Sequence, residues 1–168
     1  MKKTMFQSNT ILLVEDDKDM QSYMKLLLED ECKKIFIAEN GMDGFSMYKK
    51  YKPDIIITDL NMPIMDGIIM SKHIKDEDFN QPIILLTAYG DIKELQDAIN
   101  IGLNAFISKP IENIEVLFSS INKLLKNANN CKRTSAQVNN KIEIVSDILH
   151  DNQEYIDFES LIKDTKNS

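Results

Sequence analysis

The sequence predicts an α/β fold built on a single parallel sheet, and three observations lead to this prediction. Short apolar runs alternate five times with longer amphipathic stretches between residues 10 and 127. The runs are almost continuously apolar and rich in β-branched residues, as strands covered on both faces require. The stretches between them carry apolar residues at helical spacing. Such alternation is typical of a parallel sheet with helices on both faces.

The five predicted strands are short. They are Ile11–Val14, Ile35–Ala38, Ile55–Thr58, Ile83–Thr87 and Ala105–Ile107. Pro53 and Pro82 each stand shortly before a strand, where a residue without an N–H group is tolerated. Right-handed crossovers leave few arrangements for five such units. We therefore expect a doubly wound sheet with the flavodoxin-like strand order 2-1-3-4-5.

The predicted helices have apolar stripes and capping residues. The first stripe comprises Met20, Met24, Leu27 and Leu28, and the last comprises Ile114, Leu117, Phe118, Ile121, Leu124 and Leu125. Asp17 is expected to cap the first helix and Asn40 the second, which opens at Gly41. Gly102 is expected to end the fourth helix, since glycine is common just past a helix end.

The chain is expected to divide into one domain and a short appendage. Residues 1–9 are predicted to be an N-terminal lead and residues 10–127 the domain. The polar stretch 128–137 has no periodicity and is predicted to be a linker. Residues 138–168 contain two short amphipathic stretches, Val138–Leu149 and Tyr155–Ile162. They are predicted to form a short helical tail or the start of a further region, because two helices of this size cannot bury a core alone.

Composition excludes several classes of protein. The 20 Lys and Arg against 27 Asp and Glu give a net charge of −7, so a sequence-independent nucleic-acid binder is not expected. Apolar runs fall short of the roughly 18 residues that a membrane span needs, and no export signal is apparent. Cys32 and Cys131 suggest neither a zinc site nor a disulfide framework. The expected location is the cytoplasm.

Charged and polar residues follow four of the predicted strands. Glu15 and Asp16 follow the first, Asp59 the third, Thr87 ends the fourth, and Lys109 comes soon after the fifth. The carboxyl ends of parallel strands share one edge of the sheet, where ligands bind. Converging carboxylates call for a cation, and oxygen ligands favour Mg²⁺, with Mn²⁺ as a substitute. The lysine and threonine would complete a cradle for a phosphoryl group.

The residues around these positions also resemble a known family. The matching motifs are Ile11–Asp17, Ile57–Pro63 with Met65-Asp66-Gly67, Leu85–Ala88 and Phe106–Pro110. Their order and spacing resemble those of the CheY-like receiver domains of two-component response regulators, over about residues 10–127. The tail shares none of this resemblance.

The resemblance implies a role for each motif residue. Asp59 would accept a phosphoryl group from a phosphohistidine of a sensor histidine kinase or a histidine phosphotransfer protein. Mg²⁺ would be held by Asp16, Asp59 and the backbone carbonyl of Asn61, with Glu15 acting through a water. Thr87 and Lys109 would contact the phosphoryl oxygens.

The resemblance also implies a switch and a set of structural residues. Phe106 occupies the position of the switch aromatic, where phenylalanine can supply packing but no hydroxyl group. The switch would remodel the face formed by the fourth helix, the fifth strand and the fifth helix. Pro110 would follow a cis peptide bond. From the residues themselves, Asp66 with Gly67 is expected to shape a turn.

Several alternatives for the protein's role remain open at this point. The chain is either a stand-alone adaptor or the receiver of a longer regulator with a signalling enzyme or DNA-binding output. A homodimer could form through the switch face or the tail. The receiver would assist its own phosphotransfer and dephosphorylation without independent turnover. A flavodoxin-type electron carrier is a remote alternative, because Glu15-Asp16-Asp17 would repel a flavin phosphate.

Asn61 and Tyr89 stand two residues beyond Asp59 and Thr87, positions that flank the phosphoryl group in receivers. We predict that the Tyr89 ring hinders the attacking water and prolongs the phosphorylated state. Tyr89→Ala should therefore lose its phosphoryl group faster than the wild type in an autodephosphorylation assay. An unchanged rate would refute this role.

Overall fold

The computed structural model describes residues 6–88 and 92–133, with side chains described for 6–88 and 96–130. Ten elements alternate along these residues. They are β1 (Phe6–Val14), α1 (Lys18–Leu28), β2 (Cys32–Ala38), α2 (Gly41–Tyr51), β3 (Ile55–Asp59), α3 (Gly67–Glu77), β4 (Ile83–Thr87), α4 (Ile92–Asn100), β5 (Ala105–Ser108) and α5 (Ile114–Arg133).

The strands form one parallel sheet in the order β2-β1-β3-β4-β5, which confirms the predicted fold. All residues of β3 and β4 are buried, as their continuous apolar sequences indicate for strands covered on both faces. The strand ends that precede the helices therefore lie along one edge of the sheet.

Two apolar clusters cover the two faces of the sheet. On one face, α1 and α5 contribute Met24, Leu28, Leu117 and Ile121. On the other, α2, α3 and α4 contribute Tyr48, Met70, Ile74 and Ala98. The helical stripes predicted for the first and last helices are thus confirmed as packing surfaces.

Capping residues begin and end the helices largely as expected. Asp17 accepts a hydrogen bond from the backbone N–H of Met20, and Asn40 accepts one from Asp43. Gly102, with φ of 80°, follows the end of α4. Asp66 was expected to shape a turn, but its side chain caps α3 by accepting from the N–H of Ile69 at 2.7 Å.

The N-terminal boundary of the domain was predicted incorrectly. Residues 6–9 are not a lead but the start of β1, and the ring of Phe6 is 1% exposed. Phe6 makes an edge-to-face contact with Phe118, with ring centroids 5.8 Å apart. Polar residues separate Phe6 from the apolar run that follows, so the sequence does not show this start. The register of β1 against β2 is irregular over the same stretch, between Phe6 and Thr10.

The linker prediction was wrong over residues 128–133, because α5 continues through them to Arg133. This stretch contains neither glycine nor proline. Its asparagines have low helix propensity, which favoured the linker prediction, but α5 continues through them. The rest of the predicted linker and the tail helices at 138–168 lie outside the described residues. Within 6–88 and 92–133, no helix combines the length and apolar character that crossing a bilayer requires.

A buried lysine connects the end of α3 to the strands beside it. Lys75 is 5% exposed, and its ammonium donates hydrogen bonds to the Phe79 carbonyl and to Asn104 Oδ1, both at 2.9 Å. The same Asn104 oxygen accepts from the N–H of Ile83. Burial lowers the pKa of Lys75 to about 8, although the charge of Asp78 opposes the shift.

This lowered pKa predicts a pH-dependent stability. Between pH 8 and 10.5 the folded protein releases the Lys75 proton while the unfolded chain keeps it, so the free energy of unfolding rises with pH. Relative to Lys75→Met, the wild type should gain about 2 kcal/mol between pH 7 and 10 in denaturant unfolding. Lys72→Met, at an exposed site of the same helix, is the control. A pH-independent difference between the wild type and Lys75→Met would contradict the assignment.

Candidate functional site

Three carboxylates meet at the edge of the sheet formed by the carboxyl ends of the strands. Glu15 and Asp16 follow β1 directly, and Asp59 is the last residue of β3. Because β1 and β3 are hydrogen-bonded neighbours, one oxygen from each side chain lies within 4.8 Å of the others. The predicted convergence of these three carboxylates is therefore confirmed.

A lysine from the far side of the sheet contacts two of these carboxylates. The Lys109 ammonium lies 2.8 Å from Glu15 Oε2 and 3.0 Å from Asp59 Oδ2. Its backbone N–H donates to the Thr87 carbonyl at 2.7 Å, which places Lys109 just past the ends of β4 and β5. One long side chain thus bridges groups that come from β1 and β3.

Burial makes this ion-pair network energetically demanding. The Glu15 side chain is 1% exposed, and burial raises its pKa; the Lys109 hydrogen bond opposes the shift without cancelling it, and the Asp59 charge adds to it. Burial also acts to lower the pKa of Lys109, but the hydrogen bonds and charges of Glu15 and Asp59 outweigh it, so that pKa is raised. Glu15 and Lys109 thus each depend on the oppositely charged partner to remain charged.

Backbone contacts fix the orientation of Asp59. Its Oδ1 accepts a hydrogen bond from the N–H of Leu60 at 2.8 Å, while its Oδ2 faces Lys109. Its carbonyl accepts from Thr58 Oγ1 at 3.0 Å. A Cβ at Gly67 would lie 2.0 Å from this carbonyl oxygen, so only glycine fits there. The Asp59 side chain is 12% exposed and so remains reachable at the surface.

Thr87 and Phe106 lie on neighbouring strands beside this cluster. Thr87 ends β4, and its hydroxyl donates to the Ala88 carbonyl at 3.1 Å. Leu86, the residue before it, pairs with Asp59 across β3 and β4. Phe106 is fully buried on β5, in the apolar cluster to which α2, α3 and α4 contribute. The structure therefore places the predicted threonine at the edge and the predicted aromatic in the core.

The remaining predicted site residues have different positions. Asn61 is exposed in the loop after β3, and Gly67 is buried, donating its N–H to the Leu60 carbonyl at 2.9 Å. The peptide bond between Lys109 and Pro110 is cis, as predicted. Tyr89 lies outside the described residues, so its predicted role stays a prediction.

Sequence reasoning missed a buried amide that supports the cluster. Gln21 on α1 is buried, and its side-chain amide donates to the backbone carbonyl of Glu15. This contact holds the turn from which the carboxylates of Glu15 and Asp16 extend. A polar residue beside the apolar stripe of Met20 and Met24 was the available signal. Met20 was assigned to packing, yet together with Tyr23 it also lines the opening above the carboxylates.

The donor set fits a divalent cation with hard, oxygen-preferring character. The three carboxylate groups bring three negative charges against one lysine, and no His or Cys belongs to this group. Carboxylate oxygens partly open to water are the ligands that Mg²⁺ accepts. Asp16 is the exposed member of the cluster, so an ion could approach without displacing Lys109.

Loss of the lysine should destabilise the domain. Lys109→Met would leave the buried Glu15 carboxylate without its cation. We expect a loss of about 2 to 4 kcal/mol in the free energy of unfolding, below the figure for fully buried pairs because Lys109 is 20% exposed. Lys109→Arg should lose less, because it keeps the charge.

A double-mutant cycle tests the cause of that loss. In a Glu15→Gln background, Lys109→Met should cost at least about 1 kcal/mol less than in the wild type, because the two residues interact directly. Equal losses in both backgrounds would show that the ion pair does not stabilise the site.

Comparisons with known proteins agree with this geometry. Residues 11–122 match the model of the response regulator receiver domain family. The chain is 37% identical to the chemotaxis protein CheY of Bacillus subtilis over 119 residues, covering 70% of this chain and 98% of that protein. It is 36% identical to CheY of Halobacterium salinarum over 107 residues, covering 64% and 89%.

A solved structure agrees as well. The signal receiver domain of a signal transduction histidine kinase from Syntrophus aciditrophicus is 30% identical, with a TM-score of 0.66, covering 79% of this chain and 99% of that one. The strand order, the carboxylate cluster with its lysine, and the family match over most of the domain agree with one another. The chain belongs to the response regulator receiver domain family.

Proposed function

We propose that Asp59 is the phosphoacceptor of this receiver. The observation that carries the proposal is the position of its carboxylate, which is held by Leu60 and Lys109 beside two further acids at an accessible strand end. A carboxylate fixed in one orientation is a competent nucleophile for phosphoryl transfer, and an ammonium group beside it can stabilise the charge on the transferring group.

The proposed reaction is a direct transfer from a phosphohistidine. An Asp59 carboxylate oxygen attacks phosphorus, the P–N bond breaks, and the electron pair returns to the donor imidazole. The product is an aspartyl phosphate. Lys109 stabilises charge on the transferring group because its ammonium lies 3.0 Å from Asp59 Oδ2. The donor would be a sensor histidine kinase or a histidine phosphotransfer protein, and this pairing rests on family membership.

Receivers of this family generally bind Mg²⁺ at an acidic pocket, and the same carboxylates would hold it here. Asp16 and Asp59 would supply oxygen ligands directly, the Asn61 carbonyl would supply a third, and Glu15 would act through a water. The ion would neutralise phosphoryl oxygens during transfer. Mn²⁺ could replace it, since both ions accept oxygen ligands.

The proposed signal is a change at the face formed by α4, β5 and α5. The Thr87 hydroxyl, now donating to Ala88, would turn to a phosphoryl oxygen and draw the end of β4 with it. Phe106 is already buried, so its part in the change is packing rather than hydrogen bonding. The altered face would bind a partner or an output module, or a second copy of the chain.

Several finer assignments complete the proposal. The protein acts as a signalling phosphoacceptor, and we propose no independent catalytic turnover. We assign it to the cytoplasm, where its phosphohistidine donors would act. The output is either a separate partner or a region that follows the receiver.

Phosphorylation by a small donor tests the role of Asp59. Incubation with acetyl phosphate and Mg²⁺ should add one phosphoryl mass to the wild type in intact mass spectrometry. Asp59→Asn should gain none, because an amide is not a nucleophile for this reaction. Omission of Mg²⁺ should lower the yield at least about tenfold.

Asp76→Asn provides a matched control, since Asp76 is an exposed aspartate in the last turn of α3, whereas Asp59 lies beside the start of that helix. It should be phosphorylated as the wild type is. An added phosphoryl mass on Asp59→Asn would remove Asp59 from its role, and a wild type that stays unmodified in Mg²⁺ would contradict the proposed function.

A further inference from the structure

A basic and aromatic surface lies at the β2 edge of the sheet. The ring of Phe36 on β2 stacks on the ring of Tyr51 at the end of α2, with centroids 4.3 Å apart and an interplanar angle of 12°. The Lys34 ammonium lies 4.9 Å from the Phe36 centroid, and the Lys50 ammonium lies 5.0 Å from the Tyr51 centroid. We call these four residues the lysine-aromatic patch.

The patch carries positive charge that its surroundings leave unbalanced. Lys34 and Lys50 are exposed and form no ion pair within the described part of the chain. The nearby Lys52 ammonium lies over the ring of Tyr48 at 4.3 Å and likewise has no ion pair there. Two like charges held over one pair of rings repel each other, so an anionic group placed between them would be stabilised.

Protection of the sheet edge does not account for the whole patch. β2 is an edge strand, and a lysine on an edge strand commonly prevents association with other strands. This explains Lys34. Lys50 and Tyr51 belong to the last turn of α2, where a lysine also interacts favourably with the helix dipole. Neither that interaction nor edge protection accounts for the stacked rings that bring Lys50 beside Lys34.

The same chain contains a segment with the complementary composition. Residues 147–162 include five carboxylates but no Lys or Arg, although the whole chain has 20 Lys and Arg residues. The carboxylates are Asp147, Asp151, Glu154, Asp157 and Glu159, and apolar residues lie between them, among them Tyr155 and Phe158. We propose that residues 147–162 dock on the lysine-aromatic patch, with their carboxylates against the ammonium groups and their apolar side chains against the rings.

The position of the patch agrees with where the described chain ends. In parallel α/β units each helix runs opposite to the strands. α5 therefore carries the chain from the carboxyl ends of the strands, where the carboxylate cluster lies, back to their amino ends, where α2 also ends. Residues 134–146 can span at most about 45 Å, more than the roughly 30 Å diameter of a domain of this size. Tethering at an effective concentration near 1 mM would populate even a weak contact.

The charge distribution disfavours docking at the edge of the sheet that holds the carboxylate cluster. Glu15, Asp16 and Asp59 lie there with Asp17 and Asp19 close to the same opening. An acidic segment would be repelled by this group. The docked tail would therefore leave the carboxylate cluster open, and the inference does not depend on the role proposed for Asp59.

Lysine acetylation of the full-length chain tests the proposal. Brief treatment with an N-hydroxysuccinimide ester of acetate, followed by peptide mass spectrometry, gives a rate for each lysine. Lys34 and Lys50 should react at least about threefold more slowly in the wild type than in a chain carrying Asp151→Asn, Glu154→Gln and Asp157→Asn. Lys72 and Lys126, exposed on α3 and α5, should react equally in both. Salt at 0.5 M should remove the difference by screening.

Three results would overturn the proposal. Equal rates at Lys34 and Lys50 in the two chains would show that the acidic segment does not cover them. Protection that disappears on dilution would assign the occupant to a second copy. A change of the same size at Lys72 and Lys126 would indicate general loosening of the domain instead of docking.

Discussion

The Lys109 ammonium between Glu15 and Asp59 is the interaction on which the rest of the site depends. It joins side chains that come from the ends of β1, β3 and β5, at 2.8 and 3.0 Å. Without it, two acidic groups with little access to water would repel each other. The parallel sheet makes the contact available, because its strand order brings all these ends to one edge.

The site combines rigid support with one accessible group. Gln21 donates to the Glu15 carbonyl, and Gly67 lies close to the Asp59 carbonyl, so the backbone from which these carboxylates extend is held in place. A site of this kind stores unfavourable electrostatic energy that a divalent cation or an incoming phosphoryl group with its cation can lower. The charges that hold the site together are therefore the same charges that the proposed phosphoryl transfer would use. The family match over residues 11–122 is consistent with this double role.

Most of the fold and the main site residues could be predicted because they depend on local patterns. Apolar runs gave the strands, and strand ends gave Glu15, Asp59 and Lys109. The start of β1 was missed because Phe6 is separated from the rest of the strand by polar residues. The end of α5 was predicted too early because Asn127, Asn129 and Asn130 have low helix propensity, although none of them breaks a helix as glycine or proline does. The role of Gln21 was not predicted, since a polar residue beside an apolar stripe does not show which backbone carbonyl its side chain will contact.

A magnesium titration followed by thermal unfolding tests most directly whether the clustered carboxylates bind a divalent cation. The wild type should unfold at higher temperature as Mg²⁺ is added, as binding to the folded state alone requires. Asp16→Asn should unfold at a higher temperature than the wild type without Mg²⁺ and respond far less to it. Asp19→Asn, at the same opening but outside the cluster, should respond as the wild type does. An Asp16→Asn protein that Mg²⁺ stabilises as strongly as the wild type would contradict the account.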